Sequence, residues 1–106
     1  MRTLSTTELE EMDEDDFLLI NVLGQEDFRE EHIPGSVNIP VDEIEDNLEG
    51  LPKDKKIVVY CRSTSCEASE DAARKLQKNG FDNVVDYAPG IKAWKNSGNS
   101  VVGEGE

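Results

Sequence analysis

The stretch from Ile57 to Gly80, IVVYCRSTSCEASEDAARKLQKNG, dictates what can form around it. Four residues of strand character, Ile57, Val58, Val59 and Tyr60, run straight into Cys61. A short polar loop follows, and then an amphipathic helical pattern that stops at a glycine. Helix N-termini present unpaired N–H groups and a partial positive charge, and both favour an anion. A cysteine carried by a buried strand to such a terminus tends to titrate below the free-thiol value of about 8.5. A depressed pKa is therefore expected for Cys61.

Ala68, Ala72 and Leu76 recur every four residues, with Ala73 beside them, which gives one apolar stripe. Glu67, Glu70 and Asp71 come first and Arg74, Lys75 and Lys78 last, in the order the helix dipole favours. Gly80 suits a left-handed C′ position, which brings Phe81 against Leu76. Thr64 and Glu67 have the spacing of a capping box, with Ser65 as a rival N-cap. Cys66 then falls either in the loop or in the first helical turn.

With 106 residues the chain forms one domain, spanning 1–106, with a core over about 5–98 and a tail from 99 expected to be mobile. Its 24 acidic against 11 basic residues give a formal charge of −13. Such a surface repels phosphate backbones and anionic bilayers, so neither nucleic acid nor membrane is an expected partner. No apolar run suggests a leader or a membrane span. The two cysteines, Cys61 and Cys66, do not make a disulfide framework. A cytoplasmic monomer with reduced thiols is the expectation.

Along the chain, Ser5 and Glu8 again have capping-box spacing and open a short helix through Leu9 and Met12. Asp13 to Asp16 is an acidic turn. FLLINV, Phe17 to Val22, reads as a strand covered on both faces. Gln25 to Glu31 reads as a short helix with Phe28 turned inward, and His32-Ile33-Pro34-Gly35 as a turn. Ser36 to Ile39 is a brief strand, and apolar residues at 41, 44 and 48 suggest a one-faced helix. Asn83 to Tyr87 is a strand, Ala88-Pro89-Gly90 a turn, and Ile91 to Ser97 a helix with Ile91 and Trp94 facing in and Gly98 ending it. Strands alternating with helices through short connections mean an α/β layer with a mostly parallel sheet.

Cys61 reads either as a small buried hydrophobe ending a strand or as a reactive thiol. The switch from IVVY to RSTS immediately around it favours the thiol. The loop residues Arg62, Ser63, Thr64, Ser65, Cys66 and Glu67 are the candidate anion cradle, their main-chain N–H groups facing the sulfur. Arg62 assists anion binding or simply faces solvent. Cys66 is a candidate resolving thiol or a spectator. No four-ligand zinc site is available from two cysteines and His32, so no metal is expected. The absence of CxxC argues against a thioredoxin-type motif. A cysteine-dependent phosphatase wants an arginine six positions after its nucleophile, where this chain has Glu67.

The blocks FLLINV with QEDF, EHIPGSVNIP, IVVYCRS and NGFDNVVDYAPGIKAWKNSG resemble the rhodanese family from Phe17 to Gly98. The resemblance implies an α/β, rhodanese-like fold: a five-stranded, mostly parallel sheet flanked by helices on both faces. It implies a rhodanese-type, thiosulfate sulfurtransferase-like enzyme without a cofactor, in which Cys61 accepts a sulfane sulfur as a persulfide and passes it to a thiophile. It also implies that His32 and Gly35 shape the fold rather than the chemistry.

Three departures qualify it. Asn21-Val22-Leu23 stands where members commonly carry Asp-Val-Arg, and a bracing charged pair is lost. The active loop is about two residues longer, with Cys66 near the usual basic position. Ala88-Pro89-Gly90 replaces the common glycine pair. A less basic pocket favours a persulfide-carrying thiol or protein over a small anion such as thiosulfate. Two alternatives follow: a non-catalytic rhodanese-like binding or regulatory module, and a Cys61/Cys66 dithiol redox switch.

Overall fold

The structure, a computed structural model, describes residues 2–103, with the backbone alone for Arg2. Strand β4 (Lys56–Tyr60) lies at the centre of the sheet, because Ile57, Val58, Val59 and Tyr60 have no exposed surface and need cover on both faces. β2 (Phe17–Asn21) pairs with one edge of it and β5 (Val84–Tyr87) with the other. Two-residue strands close the edges: β1 (Arg2–Thr3) beside β5 and β3 (Val37–Asn38) beside β2. The order is β1-β5-β4-β2-β3, and every pairing is parallel. β1 is absent from the sequence reading, which starts the fold at the Ser5 helix.

Alternate residues feed opposite layers. Ile57, Val59 and Cys61 face α3 (Ala68–Lys78), whose Ala72, Ala73 and Leu76 are fully buried against them. Val58 and Tyr60 face the other way, toward Leu9 of α1 (Thr6–Glu11) and Ile91 of α4 (Gly90–Asn96). Helices thus cover both faces, as expected.

The helix ends follow from local chemistry. Ser5 and Glu8 form the expected capping box on α1. After α3, Gly80 takes φ +91, its N–H reaches the Gln77 carbonyl and that of Phe81 reaches Leu76, a Schellman end. Gly98 ends α4 in the same way, with φ +87 and bonds from Gly98 to Lys95 and from Asn99 to Trp94.

The structure corrects several expectations. Neither Thr64 nor Ser65 caps α3: Glu67 is the N-cap, without a side-chain bond, and Cys66 lies in the loop. The pattern at 41, 44 and 48 folds as 3₁₀ turns, Val41–Asp46 and Leu48–Gly50, since three-residue spacing serves a 3₁₀ turn as well as an α-helix. Helix α2 (Gln25–Glu30) buries no residue; Phe28 is half-buried and stacks on His32, ring centroids 3.9 Å apart. His32 and Val102 also exchange main-chain hydrogen bonds in an antiparallel bridge. From the tail, Ser100 receives the Trp94 indole N–H at 2.9 Å and Asn99 donates to Glu10. Residues 104–106 of that tail lie outside the described residues.

Candidate active site

Cys61 follows the last residue of β4, and its position is set from two sides. Strand pairing holds the residues before it. The N-terminus of α4 holds those after it, because Ile91 N–H donates to the Cys61 carbonyl at 3.0 Å and Lys92 N–H to the Arg62 carbonyl at 2.9 Å. Gly90, at φ +73, makes that approach possible.

The sulfur itself is enclosed: Cys61 has 0% exposure and packs with Val59, Ala72 and Ala73. Its thiol lies 3.5 Å from the Cys66 carbonyl and 3.5 Å from the Ser69 hydroxyl. Burial pushes the Cys61 thiol above its ordinary pKa, and the Cys66 thiol beside it adds to the rise; the Ser69 hydroxyl and N–H oppose both. The expected depression is therefore overturned. Desolvation outweighs the helix terminus, and the loop turns a carbonyl rather than its amides toward the sulfur.

The remaining predicted loop residues are spread over the surface. Arg62 reaches across to Asp27 at 2.7 Å, exposed on both sides. Ser63 and Ser65 share a hydroxyl bond at 3.0 Å, and Cys66 N–H closes a turn onto the Ser63 carbonyl. Thr64 and Glu67 are exposed. Of the two groups within hydrogen-bond distance of the sulfur, the Cys66 carbonyl belongs to the predicted cradle of Arg62 to Glu67 and the Ser69 hydroxyl lies outside it. Cys66 is half-buried beside Cys61, and both thiols are free.

Two further buried groups, one on each face of the sheet, escape sequence reading. Asp86 on β5 pairs with Val59 in the sheet register and is 4% exposed; its Oδ1 is buried without a hydrogen-bond partner. Burial raises its carboxyl pKa, the Ser69 hydroxyl opposes the rise, and the charge of Glu70 adds to it. A raised folded pKa means the folded state binds the proton more tightly than the unfolded chain. The stability it contributes is present below the unfolded value and lost as pH rises through the folded one. Asp86→Asn is therefore expected to raise the midpoint of thermal unfolding at neutral pH. That gain should shrink on acidification below the ordinary carboxylate range, as a melting series against pH will show.

The second group is Tyr60, whose buried phenol accepts from Asn21 Nδ2 at 3.1 Å and Ile33 N–H at 3.0 Å. Ser36 donates its own proton to the Ile33 carbonyl, so the phenol donates to Ser36 at 2.8 Å. Asn21 also accepts from Leu23 N–H at 2.9 Å. Neutral bonds thus brace the region where the family's charged pair is lost.

A shallow hollow of about 30 Å³ beside Arg62 is lined by Leu23, Asp27, Glu30, Glu31 and Ile91. A larger groove of about 420 Å³, between α1, the start of β2 and Trp94, includes neither Cys61 nor any residue of its loop. Among the described residues, no three His, Cys, Asp or Glu side chains converge as metal ligands. No described helix is long and apolar enough to cross a membrane.

The family model for the rhodanese-like domain matches residues 5–97. The chain belongs to the rhodanese family. A protein named sulfurtransferase from Allochromatium vinosum is 30% identical over 90 residues, covering 85% of this chain and 82% of that protein. YrkF of Bacillus subtilis, named as a candidate sulfur carrier protein, is 35% identical over 86 residues. That alignment takes in 80% of this chain but 45% of YrkF, so the rhodanese-like domain spans less than half of that relative. Among solved structures, BH2092 from Bacillus halodurans superposes with a TM-score of 0.91 at 28% identity, covering 98% of this chain and 78% of that one.

Proposed function

We propose that this rhodanese-like domain carries a sulfane sulfur on Cys61, taken from a thiol-borne or protein-borne persulfide and passed to a thiophile. One observation carries the reading: the sulfur sits where β4 meets the first turn of α3, its thiol 3.5 Å from the Ser69 hydroxyl. The Cys61 thiolate attacks the outer sulfur of the donor. A new S–S bond forms, the donor's bond to that sulfur breaks, and the donor leaves as a thiolate. In the second half a thiophile takes the outer sulfur and Cys61 departs as thiolate.

The donor preference follows from charge. Asp27, Glu30 and Glu31 line the hollow beside Arg62, the residue after Cys61, and Arg62 is already engaged by Asp27. A free dianion meets repulsion there that a thiol-borne persulfide on a larger carrier need not meet. Names given to relatives support sulfur transfer as the general chemistry.

Intact-protein mass spectrometry after incubation with glutathione persulfide is expected to show a gain of about 32 Da on Cys61, removed by excess thiol. Thiosulfate is expected to load far less. Absence of labile sulfur with every donor would leave the second reading, a non-catalytic binding module. The complete enclosure of Cys61 and its raised pKa favour that reading.

A further inference from the structure

A buried carboxylate with a free oxygen is expensive to keep in a fold, and Asp86 lies in a particular place. In the sheet register it is opposite Val59, so its side chain falls on the α3 face, diagonal to Cys61. Its main chain is held on both sides, by β4 and by the Leu4 N–H, which donates to the Asp86 carbonyl at 3.0 Å. Ser69, 1% exposed, lies on the same α3 face: the Cys61 thiol donates to its hydroxyl at 3.5 Å, and that hydroxyl holds the Asp86 carboxyl below where burial alone would put it.

A hydroxyl is both donor and acceptor, so Ser69 completes a chain in either of two senses. In one, the thiol donates to Ser69 and Ser69 to the carboxylate. In the other, the protonated carboxyl donates to Ser69 and Ser69 to the thiolate. We propose that Asp86 receives the Cys61 proton through the Ser69 hydroxyl, making Ser69 and Asp86 the proton-positioning pair of this site. The inference rests on Cys61 being the nucleophile of the proposed reaction.

The step balances. The S–H bond breaks as an O–H bond forms at Ser69, and the original Ser69 proton moves to Asp86. One negative charge passes from carboxylate to sulfur, with no change of oxidation state. When the thiophile removes the outer sulfur, the same chain returns the proton to Cys61. The titratable groups near the chain are Glu70 on α3, whose charge favours protonation of Asp86, and Cys66 in the loop beside Cys61. Tyr60 and Tyr87 belong to the opposite face of the sheet.

The rate of Cys61 alkylation by iodoacetamide against pH, followed on the full chain with peptide-level mass readout, tests this without any sulfur donor. The wild-type profile should show two inflections, the lower from the shared proton and the upper from full thiol ionisation. Asp86→Asn should abolish the lower one, slowing alkylation below neutral pH by about tenfold while leaving alkaline rates equal or faster. Ser69→Ala should lose the same shoulder, which keeps the test decisive if Asp86→Asn fails to fold. A single inflection in the wild type, with Asp86→Asn as fast or faster at every pH, would show that Asp86 merely repels the thiolate and would overturn the relay. Loading of persulfide on Cys61 is scored separately, so failure of the relay and failure of the sulfur-carrier reading are distinguishable.

Discussion

Replacing Gly90 with alanine is expected to destabilise the domain by about 3 kcal/mol or more, a sum of the left-handed backbone penalty and a steric overlap. Gly90 sits at φ +73, where a Cβ would lie 2.6 Å from the Arg62 carbonyl carbon and 2.7 Å from the carbonyl oxygens of Arg62 and Cys61. All three are main-chain atoms, held by bonds from Ile91 and Lys92, so no flexible side chain can give way. Relief requires the first turn of α4 to separate from the start of the active loop. Urea unfolding will measure the loss, with Gly50→Ala as reference. Gly50 has open space around its Cβ position, and its substitution should stay within about 0.5 kcal/mol. Alkylation of Cys61 in the folded Gly90→Ala protein should also accelerate, because the displaced carbonyls belong to the residues that seat the sulfur. Equal stability of the two variants would show that α4 does not fix the loop.

Tyr60→Phe is the other large effect. The ring stays, but the phenol oxygen that satisfies Asn21, Ile33 and Ser36 is gone. Ser36 retains its bond to the Ile33 carbonyl, whereas the Ile33 N–H has no replacement acceptor in that bonding pattern. A buried donor left alone costs about 1–3 kcal/mol, and two are orphaned here, so a loss of about 2–4 kcal/mol is expected from denaturant midpoints. Ser36→Ala removes one partner of the phenol and should cost less. If Tyr60→Phe is no worse than Ser36→Ala, the phenol is not the hub that its bonds imply.

Much of the architecture was legible because it is encoded locally. The Ser5–Glu8 capping box, the glycine ends at Gly80 and Gly98, and the apolar runs of β2 and β4 each need only their own neighbours to be interpreted. β1 was not legible: Arg2 and Thr3 have no strand pattern and become a strand because β5 offers them an edge. The thiol was misread for a related reason. Helix termini and charges are visible along the chain, but the closure of a loop over a sulfur is a tertiary event, and its desolvation dominates. Ser69 and Asp86 fall under the same limit. One is a polar residue in a helical stripe and the other a lone acid in an apolar strand, and only the packing of α3 on the sheet and the β4–β5 register place them on the same face as the thiol.

If Cys61 carries sulfur as proposed, the Cys66 carbonyl 3.5 Å from a sulfur with no exposure places discrimination among donors at the loop. A persulfide is one atom longer than a thiol, so cargo can be taken on only as the cover formed by 62–67 shifts aside. On that reading a reagent that merely diffuses past would find hydroxyls and carboxylates, while a carrier that binds the rim would have binding energy with which to open it. On the proposed sulfur-carrier reading, admission rather than reactivity would then set which sulfur compounds load Cys61.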